Sequence, residues 1–491
     1  MSDVITFGTD GWRAIIAEDF TFKNVERAVY AVGCYIRETY YRNASAQPPI
    51  LIGYDTRFMA DRFAIHAAQV LMDMGIKVKV TSRDVPTPAI AWATQYEPTA
   101  GALQFTASHN PPEYCGLKYI THFAGPATND ITNRIVSHLR DMPAGYEVPK
   151  REVEYFDPAP LYLAALEHMV DMKKIGASKL KVGYEALYST SRDYLDKAIQ
   201  DCGLPVTVLH NWRDPLFGGG MPEPKAKYLK DLMATVKKEK LDVGLATDGD
   251  ADRFSVIDEK GNFCSPNQLL CLLTRHLVKN RGMKGAIVRT VSTTHLLDRM
   301  AKKYNLELLE TPVGFKYIGE IMRSNDVLIG GEESGGVSIK GHIPEKDGIL
   351  ANLLIVEMLA FEGKPLSAIW QDVIDEAGTN PVYLRDDLQL THRTQKALMQ
   401  RITDKPLTTL AGEKVVREGH KDGLKLYLDD ETWLLIRPSG TEPLIRLYAE
   451  GAPSSRMEKV MDDFKKQVDD ILTEIDSVLE RAERPALNAL M

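Results

Sequence analysis

Three short stretches of this 491-residue chain carry side chains that could do chemistry, and a fourth could hold an anion. Residues 106–112 read T-A-S-H-N-P-P and are followed by Gly116, Leu117 and Lys118. They set Ser108 on a tight turn after an apolar run. A serine hydroxyl is a weak nucleophile unless a base or an electrophile adjoins it, and His109 and Lys118 are at hand. Taken alone, a helix cap followed by a proline turn is the commoner use of such a serine. No G-x-S-x-G elbow is present, which argues against an α/β-hydrolase.

Residues 247–253 read T-D-G-D-A-D-R. Asp248, Asp250 and Asp252 alternate on a loop after a second apolar run and form a cage of hard oxygen donors. Three packed carboxylates repel one another unless a cation joins them, and Mg²⁺ completes such a set with water or phosphate oxygens. Glu259 extends the spacing to that of an EF-hand. The sixth position of that loop needs glycine and holds Arg253, and 254–257 reads as a strand, so the EF-hand reading fails. A solvated acidic turn is the bland rival.

Residues 330–336, G-G-E-E-S-G-G, offer Glu332, Glu333 and Ser334, a donor and acceptor set suited to the neighbouring hydroxyls of a sugar. Just downstream, H-I-P-E-K-D-G at 342–348 adds His342 and Lys346. Residues 437–446, R-P-S-G-T-E-P-L-I-R, combine Arg437, Ser439, Gly440, Thr441 and Arg446, the ingredients of a phosphate nest with an arginine clamp. An ordinary hairpin turn is as good an account of that loop in isolation. No G-K-[ST] follows, so ATP is not implied. Together the four loops describe phosphoryl transfer on a phosphosugar, chemistry in which a protein mainly positions the group and neutralises its charge.

The elements around these loops follow one pattern. Apolar runs at 50–54, 101–105, 241–246 and 328–329 each end in a Gly-, Ser- or Asp-rich turn and an amphipathic stretch. Such alternation predicts α/β domains with largely parallel sheets, whose ligands gather at the carboxyl ends of strands. At roughly 150 residues per domain, three or four domains are expected. Polar stretches at 142–160, 260–266 and 378–385 suggest domains of 1–150, 151–260, 261–382 and 383–491. The last differs: Leu424, Leu426 and Leu428 alternate before an acidic turn and Trp433 and Leu435, a hairpin signature, and an amphipathic helix follows from Ser455.

Composition, 44% hydrophobic and 26% charged, is that of a globular protein. No apolar run reaches the ~18 residues of a membrane span, and the first thirteen residues lack a signal-peptide core. Five cysteines without C-x-x-C spacing predict neither a disulfide framework nor a zinc site, and a cytoplasmic location is expected. Net charge of -8 argues against nucleic-acid binding, so an anionic substrate must be met by a local basic cleft. Cys115, close after Ser108, reads either as an oxidation-sensitive thiol or, preferably, as a buried inert one.

In this order the motifs resemble the α-D-phosphohexomutase family, which includes phosphoglucomutase, phosphomannomutase and phosphoglucosamine mutase. The resemblance runs from F-G-T-D-G-W-R at 7–13 and G-Y-D-T-R at 53–57 through T-P-V-G-F-K at 311–316 to R-P-S-G-T-E-P. It implies an α/β chain of four domains around a central cleft, three α/β domains with mixed, mainly parallel sheets and a C-terminal α+β domain. It implies a phosphorylated Ser108, with Asp248, Asp250 and Asp252 holding one Mg²⁺ together with a phosphoryl oxygen of Ser108. Arg13, His109, Lys118 and Arg253 would surround the transferring group. Glu332 and Ser334 would grip sugar hydroxyls, and Lys346 and His342 would approach the sugar from the third domain. Arg437, Ser439, Gly440 and Thr441 would bind the non-reacting phosphate. The implied reaction proceeds through a hexose 1,6-bisphosphate, with glucose 1,6-bisphosphate as activator and no nucleic-acid, membrane or protein partner.

Two departures bear on the substrate. Members with G-E-M-S-G-H place a histidine where this chain has Gly336, so proton transfer is expected to pass to Lys346. H-I-P-E-K-D-G is similar to the H-I-R-E-K-D-G of phosphoglucomutases, and E-E-S resembles them rather than the E-Q-S of glucosamine mutases. Glucose 1-phosphate and glucose 6-phosphate are therefore the expected pair. Phosphomannomutase or dual specificity is the alternative, and phosphoglucosamine mutase a more distant one. A metal-dependent phosphatase and an inactive sugar-phosphate sensor are the rivals of other classes. Residues 183–191, G-Y-E-A-L-Y-S-T-S, depart from the family's D-x-x-x-G-x-G, with a packing consequence expected.

Overall fold

Strands that are apolar at consecutive positions must be covered on both faces, and helices do the covering. The computed structural model describes residues 5–8, 10–42, 47–429, 431–439 and 444–488, with side chains through 477. The chain forms two compact units: residues 1–289, 306–309 and 314–373 in the first, and 290–305, 310–313 and 374–491 in the second.

The first unit is built around three sheets. One takes β1 (Trp12–Ile15), β2 (Ile50–Tyr54), β3 (Val78–Thr81), β4 (Ala102–Phe105), β5 (Tyr114–Ile120) and β6 (Glu154–Phe156) in the order β1-β5-β4-β2-β3-β6. The second takes β7 (Val182–Glu185), β8 (Val206–Leu209), β9 (Val243–Thr247), β10 (Phe254–Ile257) and β11 (Phe263–Cys264) in the order β11-β10-β9-β7-β8. The third takes β12 (Ala286–Thr290), β13 (Leu308–Thr311), β14 (Val327–Gly331) and β15 (Val337–Ile339) in the order β13-β12-β14-β15. The sheets are mixed. β2 is parallel to β3 and β4, β7 to β8 and β9, and β12 to β14, whereas β5, β10 and β15 run antiparallel to the strands before them.

Without the edge strands β1, β6 and β11, one pattern recurs three times: β5-β4-β2-β3, β10-β9-β7-β8 and β15-β14-β12-β13. In each copy the third strand turns back into an antiparallel neighbour, and that turn carries one chemical loop. Ser108 lies between β4 and β5, the aspartate trio between β9 and β10, and Glu332 and Ser334 between β14 and β15. β6 falls inside the stretch read from sequence as a linker and pairs with β3, extending the first sheet to Phe156.

The helix Gly348–Glu362 is apolar around nearly its whole circumference and is buried along most of its length. Asp347 caps it, accepting from the Ile349 and Leu350 amides at 2.9 Å. Its first residue must be glycine, because a Cβ on Gly348 would come within 3.0 Å of the Ala251 carbonyl and closer still to that of Arg253. This close approach brings Lys346 to the aspartate loop.

The second unit holds an antiparallel sheet of β16 (Val382–Gln389), β19 (Arg417–Gly419), β20 (Leu424–Tyr427), β21 (Trp433–Pro438) and β22 (Leu444–Gly451) in the order β16-β22-β21-β20-β19. A small hairpin of β17 (Thr409–Leu410) and β18 (Glu413–Lys414) lies beside it. The expected hairpin is β20–β21, its turn drawn in by Asp429, which accepts from the Glu431 and Thr432 amides at 2.8 and 2.6 Å. Met457, Val460, Met461, Phe464 and Val468 of the helix Ser454–Asn488 bury their stripe against Leu424, Leu426, Leu434 and Ile436. Among the described residues, no helix is long and apolar enough to cross a membrane.

Candidate active site

Ser108 is held in a conformation that most residues avoid. Its φ is 49°, in the left-handed region, and its side chain is fully buried. The turn is fixed from two sides. Thr106 Oγ1 accepts the Ser108 amide at 2.9 Å. Arg57, also fully buried, donates to the carbonyls of Ser108, Asn110 and Pro111, each at 2.7 Å, and of Tyr114 at 2.9 Å. Asp55 holds that guanidinium through its Nε at 3.1 Å. Backbone strain is kept only where the surroundings over-determine it, and here one arginine anchors four carbonyls of the loop.

The serine faces the aspartates. Its Oγ donates to Asp248 Oδ2 at 2.7 Å. Gly249 permits the approach, because a Cβ there would come within 2.5 Å of the Ser108 carbonyl oxygen. Asp248, Asp250 and Asp252 are fully buried, and one carboxylate oxygen from each lies within 4.8 Å of the others. Thr87 holds Asp250 twice, its amide on the carbonyl at 2.8 Å and its hydroxyl on Oδ2 at 2.6 Å. Thr190 reaches the Gly249 carbonyl, and Ser191 meets Thr247 at 2.6 Å, so 183–191 buttresses the aspartate loop. Arg253 pairs its backbone with Gly336, tying that loop to 330–336.

A divalent cation suits this set. Burial first, and then the charges of Asp252 and Asp250, push Asp248 well above the ordinary carboxylate range. Oδ1 of Asp250 and Oδ1 of Asp252 are buried without a hydrogen-bond partner. Buried carboxylate oxygens left bare are costly, and hard oxygen donors are what Mg²⁺ selects.

Cations ring the carboxylates. Lys118 Nζ lies 2.8 Å from Asp250, 2.9 Å from Asp252 and 2.9 Å from Asp10. Lys346 Nζ lies 3.3 Å from Asp252 and 3.0 Å from Glu345. Burial works against both ammonium groups, but the carboxylates prevail and hold both well above the usual lysine range. Burial also works to raise Asp252, which Lys118 and Lys346 bring down to about 2. Arg13 meets Asn110 at 2.8 Å and Asp10 at 3.2 Å. His109 Nδ1 lies 3.4 Å from Ser108 Oγ and 3.0 Å from Arg253. Burial, with Arg253 and Arg13, drives its pKa well below the ordinary histidine range, so its ring is neutral at neutral pH.

Glu332 accepts the Gly314 amide at 3.0 Å and the Ser334 hydroxyl at 3.3 Å, and its carboxyl is raised by burial and then by Glu333. The stem of Lys346 fills the space beside Gly336: a Cβ there would lie 2.9 Å from Lys346 Cγ. The absent histidine and the present lysine are thus one packing solution.

His342 is the exception among the expected residues. Its side chain is fully buried, stacks on Trp92 with centroids 5.3 Å apart, and lies 3.0 Å from the Asp347 carboxylate. It packs beneath the helix cap rather than in the cluster around Ser108, so the sugar contact expected of it is not supported. Asp10, Arg57, Thr87, Asn110 and Glu345 join the cluster without being picked out by the sequence as site residues. Asp10, Arg57, Asn110 and Glu345 sit in motifs noted in the sequence, while nothing there marks Thr87. Cys115 is fully buried, and burial pushes its thiol up, which fits an inert group.

The second unit carries the arginine loop. Arg437 is buried and donates through Nε to Asp422 at 2.7 Å. Gln395 Nε2 ties the two ends of the loop, donating to the carbonyls of Ser439 at 3.1 Å and Leu444 at 2.8 Å. Arg437 and Arg446 stand directly opposite each other on β21 and β22. Like charges so placed repel, and Asp422 on Arg437 and Asp387 opposite Arg446 offset part of that charge. Gly440 and Thr441 lie outside the described residues.

Sequence profiles of the phosphoglucomutase/phosphomannomutase family match nearly all of the chain: alpha/beta/alpha domain I at 4–143, domain II at 160–261, domain III at 265–377 and the C-terminal domain at 396–467. The chain belongs to this family. It is accordingly a phosphohexomutase, an isomerase that transfers a phosphoryl group within its substrate, from a Mg²⁺-dependent group of enzymes. A phosphoglucomutase/phosphomannomutase of Thermococcus kodakarensis is 30% identical over 460 residues, covering 93% of this chain and 96% of that one. A phosphoglucosamine mutase of Carboxydothermus hydrogenoformans is 30% identical over 472 residues, covering 93% and 97%. The crystal structure of a Thermus thermophilus protein assigned as a phosphomannomutase superposes with a TM-score of 0.84 at 32% identity, covering 96% of this chain and all of that one.

Proposed function

We propose that the chain interconverts glucose 1-phosphate and glucose 6-phosphate, with Ser108 carrying the phosphoryl group between them. The observation that most supports this is the buried 2.7 Å hydrogen bond from Ser108 Oγ to Asp248. Phosphorylated Ser108 gives its group to the free hydroxyl of a hexose monophosphate: the Oγ–P bond breaks as the sugar O–P bond forms, and the proton of the sugar hydroxyl ends on the Ser108 oxygen. The resulting 1,6-bisphosphate turns end over end, and its other phosphate returns to the serine. Asp248, Asp250 and Asp252 would hold one Mg²⁺, which when bound supplies Lewis-acid neutralisation of phosphoryl charge.

The remaining residues position and neutralise. Lys118, Arg253 and Arg13 offset the charge of the transferring group, and neutral His109 accepts from Arg253 through Nδ1, holding that guanidinium beside the serine. Lys346 arrives protonated, held so by Asp10, Asp252 and Glu345, which suits it to stabilise the phosphoryl oxygens as a fixed charge. Glu332 and Ser334 bind sugar hydroxyls. Arg437, Ser439, Gly440 and Thr441 grip the non-reacting phosphate, reading charge more than sugar identity because either phosphate must fit. Glucose 1,6-bisphosphate would prime the serine.

The choice of glucose rests on E-E-S at 332–334 and H-I-P-E-K-D-G at 342–348, while relatives of similar identity carry glucose, mannose and glucosamine names. Initial rates on glucose, mannose and glucosamine 1-phosphates, with Mg²⁺ and trace bisphosphate, test it. A kcat/KM for glucose about tenfold above the others is expected, a discrimination of roughly 1.4 kcal/mol. Equal values for glucose and mannose would replace this reading with dual specificity.

A further inference from the structure

Away from the aspartate loop, at one end of the first unit's opening helix, lies a cluster with sulfur, nitrogen and oxygen donors. Cys34 stands near the end of the helix Phe22–Ile36, and Glu38 follows it at the i+4 position. His138 ends the helix Asn129–Ser137, with Asp141 three residues on. One ligand atom each from Cys34, His138 and Asp141 lie within 4.8 Å of one another.

We propose that Cys34, His138 and Asp141 form a second metal site, specific for a borderline transition-metal dication such as Zn²⁺. The donor set is the first argument. Thiolate and imidazole select Zn²⁺ and its relatives, and not the hard Mg²⁺ that carboxylates alone prefer. The second argument is the geometry around the histidine. Its Nδ1 lies 2.7 Å from Asp141 Oδ2 and its Nε2 lies 3.3 Å from Glu38 Oε2. Two carboxylates flanking one imidazole call for positive charge there, supplied by a second ring proton or by a metal ion at one nitrogen. With the metal on Nδ1 beside Asp141 and Cys34, the other nitrogen donates its N–H to Glu38. That is the carboxylate–histidine–metal arrangement that orients metal-binding imidazoles.

Arg134 supports Glu38 from 3.9 Å and stacks over Tyr35 at 4.8 Å, so the outer carboxylate is itself held. Metal–ligand bonds of about 2.0–2.3 Å would draw in three ligand atoms that already lie within 4.8 Å of one another. The thiol proton leaves to solvent as the sulfur binds. Three protein ligands leave a position open to water, since Asp141 is exposed. Cysteine spacing could not reveal this site, because its ligands come from residues 34 and 138–141.

Cobalt reports on it directly. The full-length protein, with Mg²⁺ in excess to occupy the aspartate trio, is titrated with Co²⁺ under reducing conditions and followed by near-ultraviolet and visible absorption. A thiolate-to-cobalt charge-transfer band saturating at one equivalent is expected, competed away by Zn²⁺. It should be lost in Cys34→Ser, and Co²⁺ affinity should fall at least tenfold in His138→Ala and about tenfold in Glu38→Gln. Mutase activity with Mg²⁺ checks that each variant is folded. Absence of the band in the folded parent protein, or a band unchanged in Cys34→Ser, overturns the proposal.

Discussion

The guanidinium of Arg57 lies 2.7 Å from the carbonyl oxygen of Ser108, joining a fully buried cation to the backbone of the proposed nucleophile. Three more carbonyls of the same loop share that guanidinium, so the left-handed turn at Ser108 depends on one side chain. Arg57→Met keeps the stem and removes every N–H bond, and it leaves Asp55 buried beside an apolar group. Breaking such a pair costs about 3–5 kcal/mol. A lower unfolding temperature and at least tenfold slower phosphorylation of Ser108 by glucose 1,6-bisphosphate are expected. Calorimetry and single-turnover kinetics measure the two, and unchanged phosphorylation would remove Arg57 from the account.

Asp250→Asn tests the aspartate set with little change of shape. Losing about 2–3 kcal/mol of charge stabilisation lowers turnover roughly a hundredfold, and the Mg²⁺ concentration needed for half-maximal rate should rise. Near-normal turnover at ordinary Mg²⁺ would contradict the role assigned to the trio.

Gly336 and Lys346 share one space, which makes the absent family histidine a packing question. Gly336→Ala puts a methyl group against the lysine stem, where overpacking costs about 1–3 kcal/mol. It should displace Lys346 from Asp252 and lower kcat/KM about tenfold, while Mg²⁺ dependence stays as in the parent. Full activity in this variant would show that Lys346 is not needed at its observed position.

Glu345 gives a pH signature. Burial, offset in part by Lys346, pushes its carboxyl up to about 7 from an ordinary value near 4.5. The folded state therefore binds more protons than the unfolded state between these values, and stability from this group falls as pH rises through that window, by about 3 kcal/mol at most. With metal chelated, Glu345→Gln should gain thermal stability relative to the parent as pH goes from 5 to 8. A difference independent of pH would show that Glu345 is ionised throughout.

The chemical loops are legible in the sequence because each follows a short apolar strand and concentrates polar side chains in a few residues, and Ser108, Asp248 and Arg253 do meet in the fold. The C-terminal hairpin and helix are legible from periodicity. What sequence cannot show depends on contacts across the fold. Thr87 meets Asp250 from the start of the helix Thr87–Ala93, far away in sequence, and Glu345 looks like any charged loop residue until its burial is seen. His342 sits in a polar motif that suggests a ligand, whereas its ring is covered by Trp92. The threefold sheet pattern is hidden because its three copies carry unrelated loops.

The most direct test of the central claim is to locate the phosphate. The purified protein is incubated with Mg²⁺ and glucose 1,6-bisphosphate, its intact mass is measured, and the modified peptide is sequenced. One added phosphoryl group on Ser108 is predicted, transferable to glucose 6-phosphate in a single turnover and absent from Ser108→Ala. A phosphoryl group on another residue, or a Ser108→Ala protein that still interconverts the sugars, would contradict it.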